Sequence, residues 1–319
     1  MNLRARAQSE VKQLRHGLKP YRRGTTTLRR EIGVWRAMEL PPLPRSARVA
    51  GSVWAVGLVR NEGDVIEAAV RHLVAQGVDH VLVADNLSTD GTHEVLRRLE
   101  GTDARVHVAI DHEPAFHQAS KTTRLAQAAW RAGADWIVPF DADEFWFAEG
   151  GTLADHLRRT TANSVRALVH NAVPATGDLP LIRTSTLLLE SVPQSLEKRA
   201  VRSHRWLRLQ RGNHGVDRTG PVSDGLFVVH VPYRGPRQLG RKHAPEALID
   251  RLASAEPHHA VQYRRGDELD AAGVPGAWET VRAGLPEPRL NWTPCGDRTV
   301  VQPLAWSSWA LDGSGSAGR

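Results

Sequence analysis

The sequence contains one cysteine, Cys295, in 319 residues, which excludes an intramolecular disulfide. No stretch approaches the roughly 18 uninterrupted apolar residues that a membrane-spanning helix needs. The first residues, MNLRARAQSEVKQ, also lack the apolar core of a secretory signal. A single unpaired cysteine suits a reducing compartment, so we expect a cytoplasmic protein.

Acidic residues are scarce at the start of the chain. Residues 1–50 contain 12 Lys or Arg and 3 Asp or Glu, whereas the remaining 269 contain 30 and 32. The net charge of +7 therefore lies in an N-terminal basic arm, residues 1–50. Such an arm suits peripheral contact with anionic lipid at the inner membrane face, or it is a solvated leader. Nucleic acid is disfavoured, because aromatic residues are not interleaved with the basic ones.

The body of the chain alternates between short apolar runs and helical patterns. Strands are predicted at residues 52–59, 80–84, 105–110 and 136–140, and helices at residues 65–74, 92–99 and 118–132. This alternation predicts an α/β fold, a Rossmann-like and mostly parallel sheet with helices on both faces, over residues 51–242. Residues 243–319 are expected to form a C-terminal extension, with a helix at 245–255 and a loose tail from 296.

An acidic cluster follows the last of these predicted strands, in ADWIVPFDADEFWF at residues 134–147. If the strand continues, Asp141 and Asp143 point to the same side and repel each other unless a cation lies between them. Oxygen ligands favour Mg²⁺ or Mn²⁺. The alternative interpretation is a solvated acidic turn.

Polar residues also follow two other predicted strands. Asn61 and Glu62 come after the first strand, and Asp85 comes after the second. Because parallel sheets bind ligands beyond the carboxyl ends of their strands, these residues and the acidic cluster are expected to share one site.

Three stretches together resemble the family 2 glycosyltransferases and their relatives with a GT-A fold. They are RNEGDVIEAAVRHLVAQGVDHVLVADNLSTDGT, ADWIVPFDADEFW and LFVVHVPYR, and the likeness extends from about residue 53 to residue 242. The resemblance implies a GT-A-type sheet, a nucleotide-diphosphate sugar, Mn²⁺ or Mg²⁺, and inverting transfer to a hydroxyl. Family habit favours UDP, with GDP and dTDP open, and a glycan, a lipid carrier or a small molecule as acceptor.

The same resemblance suggests individual roles at matching positions. It makes Asp85 the partner of the nucleotide base, although Asn86 replaces the second acidic residue of many relatives. It makes Asp143 the main metal ligand and places Asp141 on the ribose or on the metal through water. His230 becomes the additional metal ligand; the alternative is a buried, hydrogen-bonded histidine.

Several cations are candidates for contacts with the diphosphate, with a solvated surface as the alternative for each. These cations are Lys121 and Arg124 on one predicted helix, Lys198 in the segment KRAVRSH with Arg202 and His204, and Arg234 and Lys242 near the PYR triplet.

The transfer also needs a general base that accepts the proton of the acceptor hydroxyl. Glu144 is ranked first and His214 second, with Glu190, Glu197, Asp217 and Asp224 left open. The aromatic residues beside the acidic cluster and the PYR triplet are more typical of packing than of sugar stacking; these are Phe145, Trp146 and Tyr233.

Three other functions compete with a glycosyltransferase. A sugar nucleotidyltransferase generally has a glycine-rich phosphate loop after the first strand, where RNEGD has one glycine. A glycosidase separates its two carboxylates across the sugar rather than placing them on one strand end. A non-catalytic protein would instead use the basic arm on nucleic acid or an anionic membrane.

Overall fold

The computed structural model describes residues 3–18, 25–44, 49–115, 117–177, 180–242 and 269–311. Its helices are α1 Leu3–Leu18, α2 Thr25–Ala37, α3 Ile66–Ala75, α4 Thr92–Thr102, α5 Gln118–Arg131, α6 Leu153–Arg159, α7 Pro236–Lys242 and α8 Val274–Arg282. Its strands are β1 Met38–Glu39, β2 Val53–Val59, β3 His80–Asp85, β4 Val106–Asp111, β5 Trp136–Phe140, β6 Glu144–Ala148, β7 Ser164–Pro174, β8 Leu187–Glu190, β9 Glu197–Arg202, β10 Val222–His230 and β11 Arg298–Val301.

The centre of the fold is a parallel four-stranded core in the order β4-β3-β2-β5. The strands and helices predicted between residues 52 and 140 are confirmed, with small shifts at their ends. The complete sheet is mixed, since β1, β6 and β9 join it antiparallel and the path continues β5-β9-β7-β10-β6. Strand β8 branches from β7 and pairs with β11.

Both faces of the parallel core are covered by helices, as expected for strands that are apolar along their whole length. Alternate residues of β2 face opposite sides, so Val53 and Ala55 join the core beneath α3 and α4. Trp54 and Val56 join a second core beneath α5, whose Leu125 is fully buried. These two layers fix the carboxyl ends of β2, β3 and β5 at one edge of the sheet.

The described part of the basic arm packs against the body instead of forming a free leader. Gln13 of α1 is fully buried, donates to the backbone carbonyl of Asp217 and accepts a 3.0 Å hydrogen bond from the backbone N–H of Thr219. After α2, strand β1 pairs with the end of β4. The sequence pattern did not predict that the arm packs against the body, because its few inward-facing polar residues lie among many basic ones.

The C-terminal region contains more structure than the sequence predicted. Strand β11 pairs antiparallel with β8, at residues 298–301, where a loose tail was expected. Helix α8 buries Trp278 in a small core with Tyr233. The helix predicted at residues 245–255 lies outside the described residues.

None of the described helices combines the length and the apolar character needed to cross a membrane.

Candidate active site

The acidic cluster forms a tight turn between two buried strands. Strand β5 ends at Phe140, and the backbone N–H of Glu144 donates to the carbonyl of Asp141 at 3.1 Å. Strand β6 then pairs antiparallel with β10, so Glu144 and His230 are register partners. Because the chain turns at once, Asp141 and Asp143 are not successive residues on one face of a strand, as the sequence suggested.

Asp141 is held by three donors of the protein. Its Oδ1 accepts from Gln118 Nε2 at 3.1 Å and from Asn213 Nδ2 at 3.0 Å, and its Oδ2 lies 2.9 Å from Lys198 Nζ. A carboxylate compensated in this way needs no cation shared with Asp143. Repulsion between the two aspartates therefore gives no reason for a cation between them in this arrangement.

Asp143 faces a different set of groups. Its Oδ2 lies 3.8 Å from His230 Nε2, 3.8 Å from an Arg234 terminal nitrogen and 4.0 Å from Lys242 Nζ. The carboxylate itself is buried. Two cations and an imidazole thus converge on one acidic oxygen at the carboxyl end of the sheet.

His230 is prepared to act as a ligand. Its Nδ1 lies 2.9 Å from Asn171 Oδ1, an acceptor, so the ring proton belongs on Nδ1. Burial lowers the pKa of His230 to about 4, which leaves the ring neutral at pH 7. The unprotonated Nε2 therefore faces Asp143, and a carboxylate and a neutral imidazole are both ligands that Mn²⁺ accepts.

Asp143 and His230 fit a divalent ion, but the predicted three-ligand set is not assembled. Two ligands at about 2.1 Å from one ion lie up to roughly 4 Å apart, a range that includes the 3.8 Å separation seen here. Asp141 is occupied by its three donors. Within the described ranges, no three His, Cys, Asp or Glu side chains are arranged to hold a metal ion.

Lys198 joins the acidic turn to the loop after β9. Its Nζ lies 2.6 Å from Glu144 Oε1 and donates to the carbonyl of Gly212 at 2.5 Å, in addition to its contact with Asp141. Although burial opposes the charged form, Asp141 and Glu144 raise the pKa of Lys198 above its usual value. Burial raises the pKa of Glu144. Lys198 is therefore a charged, buried link rather than a surface lysine.

Arg234 makes the corresponding link between β10 and the loop after β2. Its Nε donates to Asp64 Oδ2 at 2.7 Å, and a terminal nitrogen donates to Glu62. The guanidinium is buried. Burial raises the pKa of Glu62 to about 7, although the positive charge of Arg234 opposes this rise. Arg234 is thereby held beside Asp143, and its main contacts are within the protein.

Asp85 ends β3 inside the protein with one unsatisfied oxygen. His93 Nδ1 lies 3.3 Å from its Oδ2, whereas its Oδ1 is buried and has no hydrogen-bond partner among the described residues. A buried acceptor without a donor is costly unless a ligand supplies one. Asn86 is committed elsewhere, since its Nδ2 donates to Asp111 Oδ2 at 2.9 Å and to the carbonyl of Glu113 at 2.7 Å.

Two predicted phosphate ligands have partners within the protein. Lys121 Nζ lies 2.6 Å from Asp111 Oδ2, and both side chains are 0% exposed. Arg124 places its guanidinium carbon 3.9 Å from the ring centre of Trp35 on α2. Helix periodicity predicted that Lys121 and Arg124 share one face of the helix. It did not predict that Lys121 pairs with the buried Asp111 or that Arg124 lies over the ring of Trp35.

The loop after β2 is tied to the loop after β3. The backbone N–H of Asn61 donates to Ser88 Oγ at 3.0 Å, and Asn61 Oδ1 accepts from the backbone N–H of Thr89 at 2.8 Å. Asn61 adopts a left-handed backbone with φ of 57°. Its side chain thus shapes the edge of the site beside Asp85.

Of the two ranked bases, His214 is the more accessible, because it is half-buried whereas Glu144 is buried. Glu144 is 1% exposed and bound to Lys198, so it cannot contact an acceptor hydroxyl. Burial lowers the pKa of His214, and its Nδ1 lies 3.2 Å from the carbonyl of Glu197, which leaves Nε2 unprotonated. Lys198 contacts Asp141 and also donates to the carbonyl of Gly212, two residues before His214, so the loop that carries His214 lies beside the acidic turn.

The other open candidates have structural partners. Glu190 is buried and accepts from the backbone N–H of Cys295 at 3.1 Å, and Asp224 pairs with Arg166 at 2.6 Å on the surface. Glu197 pairs with Arg199, and Asp217 accepts from Gln210 at 3.3 Å.

The remaining residues of the KRAVRSH segment are also paired. Arg202 pairs with Asp135 at 2.6 Å, and His204 Nε2 lies 3.0 Å from Glu10 on α1. The aromatic candidates are packing residues, since Phe145 and Trp146 are 0% exposed and Tyr233 donates to the carbonyl of Leu290 at 2.8 Å.

Sequence reasoning missed four residues that shape the site: Asp64, Gln118, Asn171 and Asn213. Asp64 belongs to the quoted RNEGD stretch, and its proximity to a conspicuous loop was the available signal. The amide side chains of the other three meet Asp141 or His230 only through tertiary packing. No spacing in the chain predicts those contacts.

Comparison with known proteins gives a family match that includes the acidic turn but not His214, His230, Arg234 or Lys242. Residues 58–206 match the family described as Glycosyl transferase family 2. The chain is 30% identical over 88 residues to the putative teichuronic acid biosynthesis glycosyltransferase TuaG of Bacillus subtilis, covering 27% of this chain and 33% of that protein. The chain thus spans about a third of the length of this relative. These matches support an enzyme of the glycosyltransferase class.

Solved structures give weaker likenesses. The mannosyltransferase PcManGT from Pyrobaculum calidifontis, in complex with GDP-Man and Mn²⁺, shares 16% identity and a TM-score of 0.39 over 88% of each chain. S. aureus TarS 1–349 in complex with UDP shares 12% identity and a TM-score of 0.36, over 66% of this chain and 69% of that one. At these TM-scores the comparisons carry no argument about this chain.

Proposed function

We propose that this protein transfers a sugar from a nucleotide-diphosphate sugar to an acceptor hydroxyl, with a divalent ion held by Asp143 and His230. The observation that carries the proposal is the convergence of His230, Arg234 and Lys242 on Asp143, at the carboxyl edge of the parallel core. The family match over residues 58–206 supports the same reaction class.

The charges suit a leaving diphosphate. When the bond between the anomeric carbon and the diphosphate oxygen breaks, its electron pair and negative charge leave with the phosphate. Arg234 and Lys242 would stabilise that charge in a partly buried setting, where electrostatic interactions are stronger than in water. A bound Mn²⁺ or Mg²⁺ would supply further charge stabilisation at the same oxygens.

The acceptor hydroxyl must lose its proton to a base on the side of the anomeric carbon opposite the leaving diphosphate. The acceptor oxygen forms the new bond to the anomeric carbon, and its proton moves to a base; we assign this role to His214 Nε2. Its lowered pKa keeps the ring neutral at pH 7, as a base requires. A single displacement of this kind inverts the anomeric centre.

The nucleotide would lie along the ends of β2 and β3. Asp85 Oδ1 is a buried acceptor that awaits a donor, and the N–H of a uracil or guanine ring supplies one. The loop that Asn61 ties to Ser88 forms the adjoining wall. The donor panel therefore begins with UDP sugars and includes GDP and dTDP sugars.

The test is metal-dependent release of nucleoside diphosphate from this panel, with and without chelator. Asp143→Asn should abolish release, whereas Asp224→Asn, at an exposed ion pair, should retain it. If no donor is cleaved, calorimetric titration of each nucleoside diphosphate with Mn²⁺ shows whether the nucleotide binds. Binding without cleavage means that the reaction requires the acceptor. If no nucleotide binds and no donor is cleaved, the proposal is wrong.

A further inference from the structure

Helix α2 exposes an apolar stripe to solvent. Leu28, Ile32 and Trp35 follow one another at i, i+4 and i+7 and are 47%, 43% and 40% exposed. This spacing places them on one face of the helix. Three neighbouring large apolar side chains on a helix surface indicate a binding surface, whereas single exposed apolar residues are common.

The side of α2 next to the stripe is fixed to the body, so the stripe cannot turn inward. Glu31 is buried and accepts from Ser120 Oγ on α5 at 2.7 Å and from Arg208 at 2.7 Å. Val34, one turn further on, is 0% exposed. These contacts set the rotation of the helix about its axis.

Positive charge borders the stripe. Arg29 and Arg36 are exposed and follow Leu28 and Trp35 directly. The guanidinium of Arg131 on α5 lies 5.4 Å from the ring of Trp35. Glu31 is the one acidic residue in the sequence of α2, and it faces the body. The exposed face is therefore apolar at its centre and cationic along its edge.

We propose that this face of α2 docks onto an anionic membrane surface. Apolar side chains that enter the acyl boundary, beside arginines that meet lipid phosphates, match the composition of helices that lie in the interface plane. A second copy of the same face would bring arginines against arginines. The proposal does not depend on the proposed glycosyl transfer.

The docking face lies close to the candidate active site. Glu31 contacts Ser120, and Gln118, two residues earlier on α5, donates to Asp141. Trp35, one turn after Glu31, lies beside Arg124 further along α5, so Leu28, one turn before Glu31, lies towards the N-terminal end of α5. Membrane contact through α2 would hold the carboxyl edge of the sheet near the lipid surface.

The experiment is co-sedimentation of the full chain with phosphatidylcholine vesicles, with and without phosphatidylglycerol. We expect retention on the anionic vesicles only, weakened when the salt concentration rises from about 0.1 M to about 1 M and the Debye length falls to about 3 Å. R29Q/R36Q should lower the partition coefficient roughly thirtyfold, at about 1 kcal/mol for each arginine.

A second variant tests the apolar stripe. L28S/I32S should lower partitioning at least about tenfold, because it removes apolar area from the interface. The matched control is I182S/V300S, which changes two exposed apolar residues elsewhere, 59% and 66% exposed. L28S/I32S and I182S/V300S should each keep the unfolding midpoint of the wild-type protein.

Three results would overturn the proposal. The first is absence of retention on anionic vesicles, and the second is retention that neither α2 variant changes. The third is a dimer in the absence of vesicles that L28S/I32S dissociates, which would assign the face to a second copy of the chain.

Discussion

Lys198 Nζ lies 2.6 Å from Glu144 Oε1, and both side chains are almost completely buried. The same nitrogen contacts Asp141 and the carbonyl of Gly212, so one cation connects the acidic turn to the loop that carries His214. A buried charge is tolerated only when it is paired, and removing one partner leaves the other uncompensated.

Lys198→Met should therefore destabilise the protein by about 3–5 kcal/mol, measured as the free energy of unfolding in denaturant. The cause is the uncompensated Glu144 carboxylate. K198M/E144Q should recover part of this loss, because the second change removes the stranded charge. Equal stability of K198M and the wild-type protein would contradict the buried pairing.

Asn171 acts on the metal site through His230. Asn171→Leu removes the acceptor that fixes the proton on Nδ1, so the ring can present an N–H to the metal instead of a lone pair. Mn²⁺ affinity in the presence of nucleoside diphosphate should fall about 10-fold to 100-fold, measured by calorimetry. The exposed variant Asp224→Asn should bind Mn²⁺ as the wild-type protein does.

Asp85 is expected to contribute to nucleotide binding without contributing to stability. Asp85→Asn should weaken nucleoside diphosphate binding at least about tenfold, because a charged acceptor is replaced by a weaker one. Its unfolding midpoint should be unchanged or higher, since Oδ1 has no partner in the part of the chain that the structure describes. A large loss of stability with unchanged affinity would make Asp85 a structural residue.

His72 should make stability depend on pH. Its Nε2 donates to the carbonyl of Trp146 at 2.7 Å, and burial lowers its pKa from 6.5 to about 4. The unfolded chain takes up this proton near pH 6.5 and the folded protein only near pH 4. The stabilisation is therefore complete above pH 6.5 and is lost as the pH falls towards 4, by up to about 3 kcal/mol.

His72→Gln is the variant that checks this assignment. The difference in unfolding free energy between the wild-type protein and H72Q should shrink as the pH is lowered from 7 to about 4. Parallel pH profiles for the two proteins would show that another group causes the acid sensitivity.

The sequence alone determined the parallel core and the edge at which the site lies. Short apolar runs rich in β-branched residues, such as residues 53–59, favour strands buried on both faces, and helical periodicity between them leaves little choice of connection. Asn61, Asp85 and Asp141 were placed at strand ends by the same local signals. Local periodicity depends on nearby residues, which a sequence displays directly.

The tertiary structure decided which charges meet. Lys121 pairs with Asp111 and Lys198 pairs with Asp141, although no signal in the sequence distinguishes the two lysines. The turn at residues 141–144 likewise separated two aspartates that strand spacing would have aligned. Ion pairing between residues distant in the chain depends on packing geometry, and spacing within the sequence contains no record of it.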